Sequence, residues 1–337
     1  MAGFFCLQLH ITNRCDQRCK HCYIFNSGKP LPSEEWSLEN LRILIKDYLG
    51  FCEKYDKLPH ISLTGGDPIL HPGFWEIVDL LRENHIPFNV LGNPFHLTPA
   101  VIWHLKRSGC QHYQLSLDGL QKTHDAMRKP GSYLATLNAI GLLNQNELAP
   151  VIMTTVSKVN YREIPELTRV IVDHEVEKCA FARYCPTHFD TDTNLSPEEY
   201  HQFLNEMWEV YQSLANRGTT FTLKDHLWKI ILKEKGLLLT QNDGIVYDGC
   251  HCGISHLTYL ETGTAYACRR MFSPVGHFPT PIEKIFFGEG ENYYRQIDKI
   301  EGCSKCELLN YCRGCRAVAY GTSGNALGKD PQCWLSV

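Results

Sequence analysis

Apolar and polar residues alternate strictly through Phe5-Cys6-Leu7-Gln8-Leu9-His10-Ile11, the period of a strand with two different faces. After a loop, Ser37 is placed to cap a helix that carries Leu38, Leu41, Leu44, Ile45 and Tyr48 on one side. A second strand, 60–63, ends abruptly at Gly65-Gly66, and a helix with Phe74, Ile77, Val78 and Leu81 follows Gly73. Apolar runs at 86–91, 113–117, 150–156 and 179–183 supply four more strands, with helical stretches between them. Six strands alternating with helices predict a parallel sheet with right-handed crossovers, an α/β fold whose chemistry sits at the carboxyl ends of the strands. Three cysteines, Gly65-Gly66, Gly92-Asn93 and Asp118-Gly119 each fall just past a predicted strand.

From about residue 196 to 239 the pattern is mainly helical, with Tyr200, Phe203, Leu204, Met207, Tyr211 and Leu214 at helix spacing. Beyond Asp248 the texture changes to short strands, turns and cysteines; Leu257-Thr258-Tyr259-Leu260 and Ala265-Tyr266-Ala267 flank a turn at Glu261-Thr262-Gly263. The expected division is a barrel over 1–205, a helical connector over 206–245 and a small cysteine-rich α+β unit over 246–337.

The 337 residues hold 43% hydrophobic and 21% charged side chains, the balance of a folded chain. A net charge of −4 offers no broad phosphate-binding surface, so nucleic acid is not an expected partner. No apolar run reaches the length of a membrane span, and the start lacks the pattern of a secretory signal. Sixteen cysteines are the anomaly. In a chain without an export signal they imply a reducing cytoplasm and thiols kept for metal or redox work.

The tightest group is Cys15-x3-Cys19-x2-Cys22. Three thiolates in one loop can hold three irons of a 4Fe–4S cluster and leave the fourth open to a substrate or cofactor. The alternative is a zinc loop completed by His21. The second group is Cys250, Cys252 and Cys268, then Cys303-x2-Cys306-x5-Cys312-x2-Cys315, then Cys333. Two CxxC pairs five residues apart would also suit one tetrahedral zinc, but that leaves Cys252, Cys268 and Cys333 with no ligand role.

The stretch from Ile11 to Tyr23, with its three cysteines, resembles the cluster loop of the radical S-adenosylmethionine enzymes. Ser62-Leu63-Thr64-Gly65-Gly66-Asp67-Pro68 is similar to the family's Gly-Gly-Glu motif, with Asp67 in place of glutamate. Leu115-Ser116-Leu117-Asp118-Gly119 resembles its fourth-strand motif. The resemblance implies a partial (β/α)6 TIM-like barrel that binds a 4Fe–4S cluster and S-adenosylmethionine. Tyr23, Gly65, Gly66, Asp67, Ser116 and Asp118 would contact the cofactor, Asp67 at the amino group, and Arg128 or Arg183 would clamp its carboxylate.

The later cysteines resemble the SPASM extension, which carries two auxiliary 4Fe–4S clusters. Carried over, Cys252, Cys268 and Cys315 serve the first, with Cys250 as a possible fourth ligand. Cys303, Cys306, Cys312 and Cys333 serve the second. The resemblance thus implies three 4Fe–4S clusters. Of the remaining thiols, Cys6, Cys52 and Cys179 are expected to pack as small apolar residues, and Cys110 has no evident partner. Cys185, just past the sixth strand, is a candidate catalytic thiol facing the active-site mouth, with an idle buried thiol as the alternative.

Enzymes of this layout act mainly on peptides. The expected activity is generation of a 5′-deoxyadenosyl radical and oxidation of a ribosomally made peptide to a cross-link, such as a thioether. The barrel starts within the first dozen residues, so leader recognition is expected to fall to a separate protein or to the barrel surface. A flavodoxin or ferredoxin would be the reductant. Alternatives are an anaerobic sulfatase maturase forming formylglycine, a small-molecule enzyme of the haem pathway, which the segment from Arg313 to Ala317 followed by Asp330-Pro331 also resembles, and a non-enzymatic iron–sulfur electron carrier.

Overall fold

The computed structural model describes residues 3–25, 35–187, 192–241 and 243–335. The six expected strands are all present, as β1 (Gly3–Thr12), β2 (Lys57–Gly65), β3 (Phe88–Leu91), β4 (Cys110–Ser116), β5 (Ala149–Val156) and β6 (Lys178–Arg183). Between them run α1 (Leu38–Lys54), α2 (Phe74–Glu83), α3 (Pro99–Arg107), α4 (Gln121–Met127), α5 (Ser132–Gln145) and α6 (Ile164–Asp173). Ser37 caps α1 as expected, its side chain accepting from the Asn40 amide. All six strands pair in parallel, in chain order, as α/β crossovers require.

The alternation in β1 sorts its side chains completely. Phe5, Leu7, Leu9 and Ile11 are sealed beneath the helices. Cys6, Gln8, His10 and Thr12 take the opposite face, which lines the inside of the curved sheet. The register of β1 with β2 places Leu7 beside Ile61 and Gln8 beside Ser62, so the apolar outer face and polar inner face continue across the strands.

The region read as a helical connector holds α7 (Pro197–Leu214), closed by a capping box at Ser196 and Glu199. It also contains a strand, β7 (Thr220–Thr222), which adds in parallel to β6, and then α8 (Trp228–Glu234). Three residues without strong alternation gave no strand signal. The cysteine-rich part contributes β8 (His256–Tyr259), β9 (Thr264–Tyr266) and β10 (Pro274–His277), followed by the short helices α9 (Ile282–Phe286), α10 (Glu289–Tyr294) and α11 (Arg316–Ser323). Strand β8 pairs in parallel with β1, so one ten-stranded sheet runs β10-β9-β8-β1-β2-β3-β4-β5-β6-β7. The segment that bears Cys252 and Cys268 is therefore joined to the sheet whose first strand leads into the first three cysteines. Among the described residues no helix is long and apolar enough to cross a membrane.

Candidate active site and cysteine centres

The chain leaves β1 at Thr12 and turns over the top of the sheet, and this turn carries Cys15, Cys19 and Cys22. The end of β2 is pressed against it. The Gly66 amide donates to Thr12 O and the Asp67 amide to Arg14 O. A Cβ on Gly65 would stand 2.2 Å from Thr12 O, and one on Gly66 would stand 2.3 Å from Arg14 O and 2.8 Å from Cys15 Cβ. Gly65 also has φ +143°, in the region that favours glycine. The two glycines are thus required to seat the cysteine turn on the sheet, a reason the sequence did not disclose.

Asp67 is completely buried. Its Oδ1 accepts from the Asn93 amide at 3.4 Å, whereas Oδ2 has no partner. Burial pushes its carboxyl up to about 7. Asn93 ties the neighbourhood together, its Nδ2 donating to Asp16 Oδ1 at 2.7 Å and to Cys15 Sγ at 3.3 Å. Past β3, Gly92 leaves room for this: a Cβ there would come within 2.9 Å of Asp67 Oδ1. Asn93 was not singled out as a site residue; its only signal was its place just past a strand.

Asp118, past β4, is also sealed from solvent. Burial alone would raise its carboxyl, but Arg128 and His21 overcome burial and hold it at about 2. Arg128 Nε donates to Asp118 Oδ2, and Arg128 Nη1 lies 3.9 Å from Cys19 Sγ. His21 Nε2 stands 3.4 Å from the same carboxylate. Asp118 is fixed in turn by the amides and side chains around it: Thr155 N–H donates to its Oδ1, and Asn160 Nδ2 to its carbonyl. So Asp118 positions Arg128 beside the cysteine turn rather than facing open space. His21, the alternative zinc ligand, is engaged in this cluster. Ser116 ends β4 on the inner face, half-buried.

Tyr23 closes the turn against the sheet, its hydroxyl 3.4 Å from His10 Nε2 and its ring under Arg269 at 5.6 Å. Burial pushes its hydroxyl up to about 12. Burial likewise pushes Cys19 up to about 11 and raises Cys15.

Arg183 is corrected. Counting along β6, it shares a face with Cys179 and Phe181, away from the lumen. Its Nε donates to Asp225 Oδ2 at 2.8 Å, and its two terminal nitrogens donate to Asp330 at 2.7 and 2.8 Å. Asp330 in turn accepts from the Cys315 amide at 2.7 Å. Arg183 therefore locks the cysteine-rich segment to the barrel wall, and of the two arginines named for the carboxylate only Arg128 lies at the cysteine turn.

Cys185 takes the buried placement offered as the alternative to a catalytic thiol. It is buried against Cys315, in one packed group with Cys252, Ala267 and Met271 and with Cys250 and Cys268 at its margin. Arg270 reaches into this group, 3.5 Å from Cys315 Sγ. The hydrogen bond from Cys185 and the charge of Arg270 lower the Cys315 thiol against the effect of burial. Arg313 Nη2 holds the Cys250 carbonyl at 3.0 Å. Cys303, Cys306, Cys312 and Cys333 line one small pocket with Gly302, Gly314 and Leu308. Gly314 is required there, since a Cβ would stand 2.6 Å from Asp330 Cβ. Cys52, Cys110 and Cys179 are buried among apolar side chains as small residues, whereas Cys6 faces the lumen, 3.9 Å from Ser62 Oγ.

Residues 9–171, which span the cysteine turn, both glycine-bearing strand ends and Arg128, match the Radical SAM superfamily. The chain carries the domain of a radical SAM enzyme. The radical SAM domain is accompanied by likeness over nearly the full length. The chain is 26% identical over 337 residues to an AdoMet-dependent heme synthase of Nitratidesulfovibrio vulgaris, covering 96% of this chain and 90% of that protein. It is 25% identical over 343 residues to the mycofactocin maturase MftC of Mycobacterium tuberculosis, covering 97% and 82%. Among solved structures, Streptococcus suis SuiB bound to S-adenosylmethionine superposes with a TM-score of 0.78 at 16% identity, over 99% of this chain and 78% of that one. The fold is also that of anSMEcpe with bound AdoMet, with a TM-score of 0.77 at 18% identity, over 99% and 91%.

Proposed function

We propose that this radical SAM enzyme oxidises a ribosomally made peptide, forming a cross-link such as a thioether. Cys15, Cys19 and Cys22 would hold three irons of a 4Fe–4S cluster, and their donor chemistry fits that group. The buried, partnerless Asp67 Oδ2 fits the amino group of S-adenosylmethionine, which would supply the missing donor. Arg128, fixed by Asp118, offers its remaining donors to the cofactor's carboxylate. When bound, the cluster and cofactor supply a 5′-deoxyadenosyl radical that abstracts a hydrogen atom from substrate. The residues around them exclude water from that radical: Tyr23 and His10 close the underside of the turn, and the substrate must close the mouth.

The two later cysteine groups support an oxidative outcome, in which the product radical gives up an electron. Cys250, Cys252, Cys268 and Cys315 would hold one auxiliary cluster, and Cys303, Cys306, Cys312 and Cys333 the other. A single zinc on the two CxxC pairs would leave Cys252, Cys268 and Cys333 without a ligand role, which supports clusters over zinc.

The observation that carries the choice of substrate is the polarity of the lumen. On β1, β2 and β8 its wall is Cys6, Gln8, His10, Ser62, Thr64, His256 and Thr258, while Leu91, Val151 and Met153 add apolar side chains from β3 and β5. A flat macrocycle asks for broad apolar walls, whereas a peptide backbone asks for donors and acceptors. The fold neighbours include SuiB bound to its precursor peptide SuiA and anSMEcpe with a bound Cp18Cys peptide, and the relatives include a mycofactocin maturase. A second reading, haem-pathway chemistry, is favoured by the heme synthases among the relatives, at 25–26% identity. The test is coupling. Reduced holoenzyme should release 5′-deoxyadenosine slowly alone and faster with a cysteine-bearing precursor peptide; stimulation by a porphyrin and not by any peptide would overturn the proposal.

A further inference from the structure

We propose that Cys185, carried by the barrel, ligates iron in the first auxiliary centre together with Cys252, Cys268 and Cys315. The proposal rests on the reading of that thiol group as a 4Fe–4S site and deepens it. A cluster takes four thiolates, five thiols meet here, and Cys185 rather than Cys250 fills the fourth position.

Two clamps fix Cys185, one on each side of it in the chain. Two residues earlier, both terminal nitrogens of Arg183 donate to Asp330, which accepts from the Cys315 amide at 2.7 Å. One residue later, Pro186 is seated on α11, the helix that starts directly after Cys315. A Cβ on Gly321 would stand 2.2 Å from Pro186 O, so glycine permits this approach. The end of β6 and the Cys315 segment are thus joined by an ion pair and by a backbone contact, and Cys185 lies between the two. Cys185 Sγ itself approaches one backbone acceptor, Arg183 O, at 3.8 Å.

The surroundings of Cys185 are those of a ligand. Cys185, Cys252 and Cys315 are buried in one packed cluster with Ala267 and Met271, whereas Cys250 and Cys268 pack against its margin. Arg270 reaches in from the Cys268 segment, its Nη2 3.5 Å from Cys315 Sγ, and a cation among thiols favours their thiolate form. Cys52, Cys110 and Cys179 differ, since they sit in the apolar core of the barrel. Cys250 is anchored elsewhere. Gly249 is pressed on Cys312 O, where a Cβ would stand at 2.4 Å, and Arg313 Nη2 donates to Cys250 O at 3.0 Å. The backbone of Cys250 therefore follows the turn of the second cysteine group, and its thiol meets Cys252 and His226 at the margin of the first. With Cys185 as the fourth ligand, protein holds every iron of the first centre. Such a centre accepts an electron and offers no iron to a substrate thiolate.

The experiment reconstitutes the full chain with Cys15→Ala, Cys19→Ala and Cys22→Ala, so that about eight irons remain, all of them auxiliary. Iron, sulfide and the paramagnetic resonance spectra of the oxidised and reduced protein are measured. Cys250→Ala added to this chain should keep about eight irons and give no three-iron signal on oxidation. Cys185→Val added to that should produce the three-iron signal, or lower the content to about four irons as the centre is lost. Valine keeps the apolar packing of a buried thiol, so a Cys185 that only packs would leave iron and spectra unchanged. Circular dichroism checks that the two chains fold alike. Loss of the centre in Cys250→Ala alone, or identical iron and spectra with and without Cys185→Val, overturns the proposal. About four irons before either change would overturn the reading of the group as a cluster site, a result distinct from a failure of Cys185.

Discussion

Replacing Asp67 by asparagine separates the cofactor role of this residue from any role in folding, because the two predict opposite signs. The side chain is sealed from solvent, one carboxylate oxygen lacks a partner, and burial holds the group at about 7 against an ordinary 3.8. Loss of a charged hydrogen bond to the cofactor's amino group should cost about 1.5–3 kcal/mol. That is about 10- to 150-fold in the dissociation constant of S-adenosylmethionine, at about 1.4 kcal/mol per decade. Binding needs the ionised carboxylate, and below pH 7 a proton competes for it. Wild-type affinity should therefore weaken about tenfold between pH 8 and pH 6, and the asparagine variant should show no such slope. Folding runs the other way. A carboxyl whose folded value lies above its unfolded value binds more protons in the native state. Its stabilising contribution is fullest at low pH and is lost as pH rises from 3.8 towards 7. At pH 8 the ionised group, with one oxygen unpartnered, costs the cofactor-free protein on the order of 4 kcal/mol at most. Asp67→Asn without cofactor should thus melt a few degrees higher at pH 8 than wild type. Calorimetric titration at three pH values and paired melting curves check both halves. Unchanged cofactor affinity with an unchanged pH slope would refute the assignment and require another acidic group at the amino nitrogen.

Anaerobic reconstitution should give about twelve irons and twelve sulfides per chain, and replacing Cys15, Cys19 and Cys22 by alanine should remove about four of each; stoichiometric zinc with about four irons would defeat the two-auxiliary-cluster proposal. Cys303→Ala or Cys268→Ala should leave cofactor cleavage largely intact and abolish product, as read by chromatography of 5′-deoxyadenosine and mass spectrometry of the peptide. Arg183→Met leaves Asp225 and Asp330 buried without their cation and should destabilise by about 3–5 kcal/mol, with a lowered melting temperature and loss of auxiliary iron; unaltered melting would show that the arginine does not link the cysteine-rich segment to the barrel.

Much of the barrel was legible because β1 advertises its two faces, and each motif falls where a strand runs out. The assignment of Arg183 failed although its signal was present: it shares parity with Cys179 and Phe181, and that parity puts it on the outer face. Strand β7 was illegible for a physical reason, since three residues on a sheet edge need no alternation. The pairing of β8 with β1 spans some 250 residues and is set by tertiary packing, which no local pattern encodes. The unpartnered oxygen of Asp67 is also invisible in sequence, because it is a property of what surrounds the residue. By contrast Asp330, noticed only as part of a short resemblance, acquires a definite structural role, joining Arg183 to the amide of Cys315.

The most direct measurement offers one preparation of reduced holoenzyme, with S-adenosylmethionine, both a cysteine-bearing precursor peptide and a propionate porphyrin, and weighs every product. Oxidative cross-linking removes two hydrogens, so the peptide should become two mass units lighter, and a thioether should block alkylation of one thiol. A product lighter by two that still alkylates fully would indicate a carbon–carbon or carbon–oxygen bond, and a hydrazine-reactive aldehyde would indicate formylglycine. An unchanged peptide beside a decarboxylated porphyrin would contradict the proposal of a peptide-oxidising enzyme.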